Sequence, residues 1–508
     1  MKSRYNINRI RAIQDGLGNV FSKPKEVSSV AIDFFKRILG SEGSFERHTN
    51  GVDVWGPELD DDEARNLIKP ISSEEIFRAM TDIGNDKAPG PDGFNAFFFK
   101  STWHITGECV TNAIKDFFSK PYLPRKVNAT ILALVPKVDN PSSFGDFRPI
   151  SCCNVIYKCI TKIIAFRLRD CLPKLVDDAQ SAFLPGRKIS DNIMLARELL
   201  LGYHKGNRPK LALKVDLIKA YNSVDWEFLW DVLHARGFPI VFIAWIKACV
   251  TKPFFSININ GTLEGFFEGK RGLRQGDPLS PYLFTLCLDV LSKRLNEACR
   301  EGDFKFHWRC KRTELTHLCF ADDLMLFSHG DVKSAKILAD VLRGFSRVSG
   351  MEVSIEKSHI FLSGVDDTVR EEIEELFGFK RGVLPIRYLG VPLISKGLKA
   401  NDCKVLEDRI LKRVKSWSSK LLSYAGRVTL IKSVLMSMQT FWCSHFVLPK
   451  RVCLNIEKII RKFLWSGNEM NPNRASVAWE DLCLPKEEGG LGIKRMQDWN
   501  IALMGKHI

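Results

Sequence analysis

Two adjacent carboxylates carry the clearest chemical signal in the chain. Asp322 and Asp323 lie in the segment His317-Leu-Cys-Phe-Ala-Asp-Asp-Leu-Met-Leu-Phe327, between two apolar half-strands. Like charges held close together raise one another's pKa or recruit a cation, and a hard divalent metal with oxygen ligands relieves that repulsion. The pair indicates a metal site, although a solvated Asp-Asp turn, which is common in hairpins, also fits this segment alone.

A third carboxylate extends this pattern. Asp216 ends the predicted strand Leu211-Ala-Leu-Lys-Val-Asp216, where by itself it could cap a helix. If neighbouring strands bring Asp216, Asp322 and Asp323 together, the three side chains could hold two Mg²⁺ ions. One ion would activate an attacking hydroxyl and the other would steady the leaving phosphate oxygens. The three aspartates predict a site for phosphoryl transfer.

Two hairpins and one long helix must position these carboxylates. Asn260-Gly261, between two apolar segments, is the strongest hairpin-turn signal in the chain. A second hairpin is predicted over residues 318–327, around the paired carboxylates. Ser280 followed by Pro281 predicts an N-cap and a first helical residue, before a long apolar helix.

Local signals define other elements as well. Ser72 with Glu75 predicts a capping box at the start of a helix, and Ile71 can pack onto Ile76 as a hydrophobic staple. Hydrophobic periodicity predicts further helices over residues 27–39 and 155–168, a strand over 131–135 and an extended segment over 144–150.

Towards the carboxyl terminus the pattern is helical and basic. One helix has its apolar residues on one face and its cations on the others. The apolar residues are Leu406, Ile410, Val414 and Trp417, and the cations are Lys412, Arg413 and Lys415. This pattern predicts a separate basic helical subdomain.

Length and charge narrow the class of protein. The 508 residues exceed the roughly 250–300 residues at which single cores stop growing, so at least two subdomains are expected. The 75 Lys and Arg residues outnumber the 59 Asp and Glu residues, which gives a net charge of +16. This excess favours nucleic acid as a partner over a membrane, although it could also serve solubility alone.

Cysteine spacing and hydropathy exclude other classes. The 14 cysteines form no Cys-x-x-Cys pair and no zinc-finger spacing, so we expect reduced core thiols. Cys152, Cys153 and Cys159 are predicted to share one buried helix. No apolar run approaches the roughly 18–20 residues that span a bilayer, and no signal peptide is present. We therefore expect a soluble, intracellular protein without a membrane partner.

Seven motifs in order resemble the reverse transcriptase of plant LINE-type, non-LTR retrotransposons. They cover most of the chain from about residue 70 to 395. The motifs are Ala88-Pro-Gly-Pro-Asp-Gly93, Leu134-Val-Pro-Lys137, Phe147-Arg-Pro-Ile-Ser151, Asp216 with Lys219-Ala-Tyr221, Arg271-Gly-Leu-Arg-Gln-Gly-Asp-Pro-Leu-Ser-Pro281, Phe320-Ala-Asp-Asp323 and Tyr388-Leu-Gly-Val-Pro-Leu393.

The resemblance implies an α+β fold of the right-hand polymerase type, with fingers, a palm that holds an antiparallel sheet, and a helical thumb. The implied reverse transcriptase domain covers about residues 117–394. The expected divisions are an entry or linker segment at 1–68, with a polar stretch over 41–65, fingers at 70–210, a palm at 211–365, a connection at 366–395 and the thumb with a further segment at 396–508.

The resemblance also assigns the catalytic residues. Asp216 and Asp322 would be the main ligands of two Mg²⁺ ions, or of Mn²⁺, and Asp323 their companion. Tyr221 would lie beneath the incoming sugar and reject a 2′-hydroxyl, whereas from the residue alone it could be a core aromatic. The implied partners are an RNA template, a DNA primer and deoxynucleoside triphosphates.

Further nucleotide-binding residues follow from the same resemblance. Gln275 and Gly276 would pack against the nucleotide and template, although from spacing alone they could be a bare loop before the next helix. Lys137 and Arg148 would meet the triphosphate, and Lys357 would lie near the leaving pyrophosphate. As isolated cations, Lys137 and Arg148 would be surface residues.

The chain also departs from the family's pattern. Asn222 stands where the family commonly has Asp, so one carboxylate near the site is missing. The chain begins after the usual endonuclease and stops before the usual zinc-binding segment, so we expect a fragment. Two alternatives remain: an inactive retrotransposon remnant or co-opted protein that binds RNA or RNA–DNA duplex, and a maturase-like protein that aids intron RNA folding.

Overall fold

The computed structural model describes residues 9–41, 56–206, 208–418, 422–466 and 476–507. Residues 42–55 of the predicted polar stretch lie outside the described residues. The chain divides into two compact units. The first comprises Met1–Arg187, Lys210–Ile360 and Asp366–Lys380, and the second comprises Lys188–Pro209, Phe361–Val365 and Arg381–Ile508.

The helices, numbered along the chain, are α1 (Pro24–Leu39), α2 (Asp61–Leu67), α3 (Ser73–Thr81), α4 (Ala96–Ser101), α5 (Trp103–Ser119), α6 (Arg125–Asn128), α7 (Val155–Leu175), α8 (Ile189–Leu200), α9 (Ala220–Ser223), α10 (Trp226–Ala235), α11 (Ile240–Val250), α12 (Ser280–Glu301), α13 (Val332–Ser349), α14 (Asp367–Phe377), α15 (Lys404–Ser418), α16 (Tyr424–Leu430), α17 (Met436–Cys443), α18 (Lys450–Ser466), α19 (Trp479–Cys483) and α20 (Met496–Met504). Helices α8 and α15–α20 belong to the second unit, and the others belong to the first.

The strands are β1 (Ile13–Gln14), β2 (Val20–Phe21), β3 (Ala129–Pro136), β4 (Phe147–Cys153), β5 (Lys210–Val215), β6 (Phe254–Ile259), β7 (Thr262–Glu268), β8 (His317–Phe320), β9 (Asp323–Ser328), β10 (His359–Ser363), β11 (Lys380–Arg381), β12 (Ile386–Tyr388) and β13 (Val391–Leu393). The chain passes between the two units within β10 and β11, and β12 and β13 pair in the second unit.

A four-stranded mixed sheet of the first unit has the order β4-β3-β6-β7. Strand β3 runs antiparallel to β4 and parallel to β6. The β6–β7 hairpin closes through Asn260 and Gly261, both with positive φ, at +53° and +97°. Positive φ at both central positions is what a two-residue type I′ turn requires, so the predicted hairpin is confirmed.

Three further strands of the first unit, β5, β9 and β8, are consecutive antiparallel neighbours. Leu211 pairs with Ser328 at one end of the β5–β9 ladder, and Val215 pairs with Leu324 at the other. The leucine, methionine and phenylalanine side chains of β9 are fully buried. Such a run of apolar residues is typical of a buried strand. The hairpin predicted over residues 318–327 is confirmed by the pairing of β8 with β9.

Helix α1 packs within the first unit. Its buried residues include Val27, Ala31 and Phe35, which share one hydrophobic cluster with Phe144 and Phe255. These positions are spaced four apart on α1 and so form one apolar stripe. The stripe makes the helix part of the core beside the four-stranded sheet.

Two capping predictions are wrong in detail. Ser72 does accept a hydrogen bond from the Glu75 amide, at 3.2 Å. The Glu75 carboxylate instead binds the Arg167 guanidinium, with contacts of 2.8 and 2.9 Å, and so does not complete a capping box. Ser280 is the first residue of α12 rather than its N-cap. The buried Asp277 carboxylate accepts the amides of residues 279 and 280, which explains why the serine is not needed there.

The cysteine prediction is partly wrong. Cys152 and Cys153 end β4, and only Cys159 lies in α7, so the three do not share one helix. All three are buried and free, as are most of the other cysteines, but Cys109 is exposed. The expectation of core thiols therefore holds for most positions and fails at Cys109.

One ion pair is fully buried in the first unit. The Arg236 guanidinium lies 2.6 Å from an Asp289 carboxylate oxygen, and the two side chains are 0% and 1% exposed. The other Asp289 oxygen accepts the backbone amide of Asp177, at 2.8 Å. The pair thus ties α10 and α12 to the loop that follows α7.

The second unit is mostly helical and has its own core. Leu406, Ile410 and Val414 of α15 are buried in it, and Trp417 packs against it. The three neighbouring cations on α15, Lys412, Arg413 and Lys415, are exposed. The predicted face of this helix is therefore confirmed. Within the described residues, no helix is both long enough and apolar enough to cross a membrane.

Candidate active site

The paired aspartates lie at the tip of the β8–β9 hairpin. Phe320 pairs with Asp323, so Ala321 and Asp322 form a two-residue turn. Ala321 has a φ of +52°, in the left-handed region that residues with a Cβ avoid. The Asp322 side chain is exposed, and Asp323 is half-buried. The turn thus presents Asp322 to solvent at the edge of a buried sheet.

Asp216 directly follows β5, next to this turn. Val215 pairs with Leu324, so one further step of the antiparallel register places Asp216 opposite Asp323. Side chains directly opposite each other in adjacent strands share one face and lie close together. The backbone of Asp216 is held on both sides, because its amide donates to Ser358 Oγ (3.1 Å) and its carbonyl accepts from the Ser354 amide (2.8 Å).

The environment raises the pKa of both hairpin carboxyls. Although Asp322 is exposed as a residue, the protein atoms around its carboxyl reduce its hydration, and this desolvation is the largest cause; the negative charge of Asp216 adds to it, while Arg148 opposes them. For Asp323, burial comes first and the charges of Asp322 and Asp216 add to it, while Lys214 opposes them. The charges of Asp216 and Asp322 therefore act on the neighbouring hairpin carboxyls, which indicates that the three side chains lie near one another.

These shifts predict that the carboxylates destabilise the metal-free fold. A carboxyl whose pKa is raised on folding contributes stability below its unfolded-state pKa, and this contribution is lost as pH rises through the folded-state value. At neutral pH in EDTA we therefore expect Asp322→Asn/Asp323→Asn to have a higher Tm than the parent chain, with the difference disappearing in acid. Scanning calorimetry at several pH values tests this, and an equal or lower Tm of the variant at neutral pH would contradict it.

The structure brings the three aspartates to one sheet edge but does not assemble a coordination site. Among the described residues, no group of three His, Cys, Asp or Glu side chains is close enough to hold a metal ion. The donor chemistry nevertheless fits a hard divalent cation, since all three side chains are carboxylates and two have pKa values raised by burial and repulsion. A cation there would remove the repulsion.

Tyr221 lies beside the aspartates. Its ring stacks on Phe284 of α12, with centroids 4.5 Å apart and planes at 17°. Burial, with the charge of Asp322 as a second cause, raises the pKa of its hydroxyl. The ring is only half-buried, so it has both a packed face and an open edge.

The glycine-rich segment docks against the turn that carries Tyr221. The amide of Leu273 donates to the Tyr221 carbonyl at 2.6 Å, and that of Gly272 donates to Val224 at 2.9 Å. Gly272 has a φ of +81°, and a Cβ there would lie 2.6 Å from the carbonyl oxygen of Asn222. Only glycine fits this contact. Asn222 therefore packs through its backbone, whatever its side chain does.

Gln275 and Gly276 reach back to the four-stranded sheet. The Gln275 carbonyl accepts the amide of Ser151, on β4, at 2.8 Å. Gly276 has a φ of +111° and faces Ile150 and Ser151. The structure thus places this pair against the strand that also carries Arg148.

The predicted cations form one electrostatic group with Asp216. Lys137, directly after β3, donates to the Gly145 carbonyl at 3.0 Å. Its pKa is lowered by burial first, then by the charges of Lys357 and Arg148, while Asp216 opposes this. Arg148 and Lys357, which are far apart in sequence, thus both lie within electrostatic reach of Lys137.

A family model supplies the decisive comparison with known proteins. The model described as reverse transcriptase (RNA-dependent DNA polymerase) matches residues 135–393, which is just over half of the chain. The chain belongs to the reverse transcriptase family. All nine site residues predicted from the sequence lie within the matched range.

Several relatives of this reverse transcriptase are proteins of mobile elements. It is 26% identical over 97% of its length to the uncharacterized 149 kDa protein of transposon TX1 from Xenopus laevis, covering 37% of that protein. It is 24% identical over 84% of its length to the Pol polyprotein of the type-2 retrotransposable element R2DM from Drosophila melanogaster, covering 40% of it. An uncharacterized mitochondrial protein of Arabidopsis thaliana is 47% identical over 13% of the chain, which covers 54% of that protein. The reverse transcriptase domain is therefore of the non-LTR type, and the chain spans about two fifths of the length of these two transposon relatives.

The reverse transcriptase contains a further cation, Lys219, which belongs to one of the sequence motifs but received no role from the sequence. Lys219 lies three residues after Asp216, in a left-handed conformation with φ +46°. Its amino group lies 4.4 Å from the Phe34 ring centroid of α1. Burial, with the charges of Lys137 and Arg271 as the next causes, lowers its pKa to about 8. The motif does not predict this grouping, because only the fold brings these cations together.

The sequence also gave no role to the loop between α7 and α8. Gln180 in this loop is 1% exposed. Its side-chain oxygen accepts the amide of Ala321, the residue before Asp322, at 3.0 Å. This loop therefore contacts the turn that carries the predicted metal ligand.

Proposed function

We propose that this chain is an RNA-directed DNA polymerase that extends a primer 3′-hydroxyl with deoxynucleotides on an RNA template. What supports the proposal is that Asp216 follows the Val215–Leu324 pair at the sheet edge where the turn carries Asp322 and Asp323, and that Asp322 lies within electrostatic reach of Asp216 and Arg148. Negative charge for metal ions next to positive charge for phosphates is the combination that phosphoryl transfer needs.

Two Mg²⁺ ions, or Mn²⁺, are the proposed cofactors, with Asp216 and Asp322 as main ligands and Asp323 as companion. When bound, the ions would activate the primer hydroxyl and stabilise charge on the leaving oxygens. The chain's own cations, Lys137, Arg148 and Lys357, would bind the triphosphate and offset its charge. Gln275 and Gly276 would support the nucleotide and template from the edge of β4.

We further propose the right-hand division expected from the motifs: fingers at 70–210, palm at 211–365 and helical thumb at 396–508. The family supports a palm and fingers, and the helices after β13 support the thumb.

We propose a LINE-type element of the plant group as the source. The higher identity of the Arabidopsis thaliana segment supports this assignment.

Extension of a DNA primer on an RNA template, with deoxynucleotides and Mg²⁺, tests the proposal. The parent chain should extend the primer, and Asp322→Ala/Asp323→Ala should not, while both bind the RNA–DNA duplex. If neither extends it and both bind duplex, the chain is a binding protein rather than a polymerase.

Tyr221 is the proposed selector against ribonucleotides. Its stacking on Phe284 holds the Tyr221 ring in place. A 2′-hydroxyl on the incoming nucleotide would therefore clash with the ring, which has no room to move aside. We expect Tyr221→Val to increase ribonucleotide incorporation relative to deoxynucleotide by about 10-fold or more. Tyr221→Phe keeps the ring and should retain the discrimination. Single-nucleotide incorporation kinetics measure both ratios, and equal ratios for the parent and the valine variant would refute the role.

The raised carboxyl pKa values also predict a proton-linked metal affinity. Cation binding requires ionised carboxylates, so Mg²⁺ and protons compete at Asp322 and Asp323. Lowering the pH should weaken Mg²⁺ binding, starting above the ordinary Asp value of about 3.9, and more Mg²⁺ should restore it. Mg²⁺-induced Tm shifts measured across a pH series check this. A Tm shift that is independent of pH, or one that persists in Asp322→Asn/Asp323→Asn, would argue against these ligands.

A further inference from the structure

The turn that carries Asp322 has an unfavourable backbone. Ala321 adopts a φ of +52°, in the left-handed region where a Cβ crowds the following carbonyl oxygen. Such a conformation persists only when its surroundings hold it in place. The neighbouring structure must therefore supply contacts that fix the Ala321 backbone and, with it, the direction of Asp322.

Gln180 supplies such a contact. Its Oε1 accepts two backbone amides, those of Ala182 at 2.9 Å and of Ala321 at 3.0 Å. Because both partners are N–H donors, the side-chain amide can have only its oxygen on this side. The Gln180 Nε2 group is buried and has no hydrogen-bond partner in the described structure. Burying an unpaired donor costs stability. A gain in folding stability alone therefore does not explain why a glutamine occupies this position.

The loop that holds Gln180 is itself fixed to β8. The Cys319 amide donates to the Ala179 carbonyl at 2.8 Å, and the Ser181 amide donates to the Cys319 carbonyl at 3.0 Å. Residues 179–181 thus bond to β8 as a short parallel strand would. The glutamine reaches the turn from a backbone that is in register with the hairpin.

Two arginines anchor the same loop, Arg187 with a side chain that is 16% exposed and Arg236, which is fully buried. Arg187 donates to the carbonyls of Gln180 at 2.6 Å and of Val176 at 2.9 Å. The Arg236–Asp289 pair holds the amide of Asp177 through the second carboxylate oxygen. A continuous set of hydrogen bonds therefore runs from the buried ion pair, through the loop, to the turn before Asp322.

We infer that Gln180 is a positioning residue for the metal-binding carboxylate: it holds the Ala321 amide so that the turn directs Asp322 toward Asp216. The inference rests on the proposed function only for the identity of the ligand, because the hydrogen bonds themselves are independent of any metal. Removing the acceptor should let the turn leave the left-handed conformation and should weaken cation binding.

Gln180→Met keeps the approximate volume and removes the acceptor. We expect about a tenfold weaker affinity for Mn²⁺, measured by electron paramagnetic resonance without nucleic acid, and about tenfold faster amide hydrogen exchange of the hairpin peptide 317–328. Gln439→Met replaces a buried glutamine of the second unit and is the matched control, which should change neither quantity.

Adding Ala321→Gly to Gln180→Met should recover most of the Mn²⁺ affinity, because glycine adopts a positive φ without the acceptor. A purely structural role for Gln180 would not produce this recovery. Unchanged exchange in the hairpin of Gln180→Met would overturn the inference. If the parent chain binds no Mn²⁺ or extends no primer, the proposed function fails, and the exchange measurement still decides the positioning role.

Discussion

Asp216→Asn is expected to reduce primer extension by about 1000-fold or more while leaving the fold intact. The metal ions of such sites supply several kcal/mol of transition-state stabilisation, and each 1.4 kcal/mol or so corresponds to a factor of ten in rate. The substitution removes the charge but keeps the shape. The fold should persist because the neighbouring serines bind the backbone of Asp216 rather than its carboxylate.

The same measurement ranks the three aspartates. Asp322→Asn should match Asp216→Asn, because both are main ligands in the proposal, and Asp323→Asn should have a smaller effect. Asp340→Asn, on the surface of α13 where the side chain is 55% exposed, is the matched control and should extend primers like the parent. Full activity of Asp216→Asn would exclude this aspartate as a metal ligand and would leave the sheet edge without a catalytic role.

The sequence predicts the core of this site because the relevant signals are local. Alternating and buried apolar residues define β5, β8 and β9, and the paired aspartates occupy the turn between two of these strands. An antiparallel pairing then joins Val215 to Leu324, so that Asp216 and Asp323 follow at the same end of the two strands. The ordered motifs add the identity of the family, which a pattern of strands alone does not contain.

Other features of the site cannot be predicted from the sequence, because they depend on which distant segments of the chain come into contact in the fold. Ser280 has the residue type of an N-cap, but Asp277 is buried beside the same amides and takes the role. Lys219 is one of many lysines until the fold places it among other cations. Gln180 has no motif that reports its acceptor role, since the donor lies 141 residues away.

Breaking the buried ion pair should have the largest effect on stability. Arg236→Met leaves the Asp289 carboxylate buried without its counter-charge, and such losses typically cost about 3–5 kcal/mol. Neither partner is more than 1% exposed, so water cannot replace the lost contact. Arg65→Met breaks a pair with the same 2.6 Å separation whose side chains are 71% and 86% exposed, and it should cost less than about 1 kcal/mol. Denaturant unfolding of both variants gives the comparison.

The protonation of Asp289 gives the destabilisation of Arg236→Met a pH dependence that lost packing alone would not produce. Burial already raises the pKa of Asp289 even though Arg236 opposes the shift, and removing the arginine should raise it further. The carboxyl would then be neutral over a wider pH range, so the loss in Arg236→Met should shrink as the pH falls. Adding Asp289→Asn to Arg236→Met should restore much of the stability at neutral pH, because the amide is uncharged and its oxygen can still accept the Asp177 amide. A loss that is independent of pH, and that Asp289→Asn does not reduce, would indicate that lost packing rather than an unpaired charge destabilises the variant.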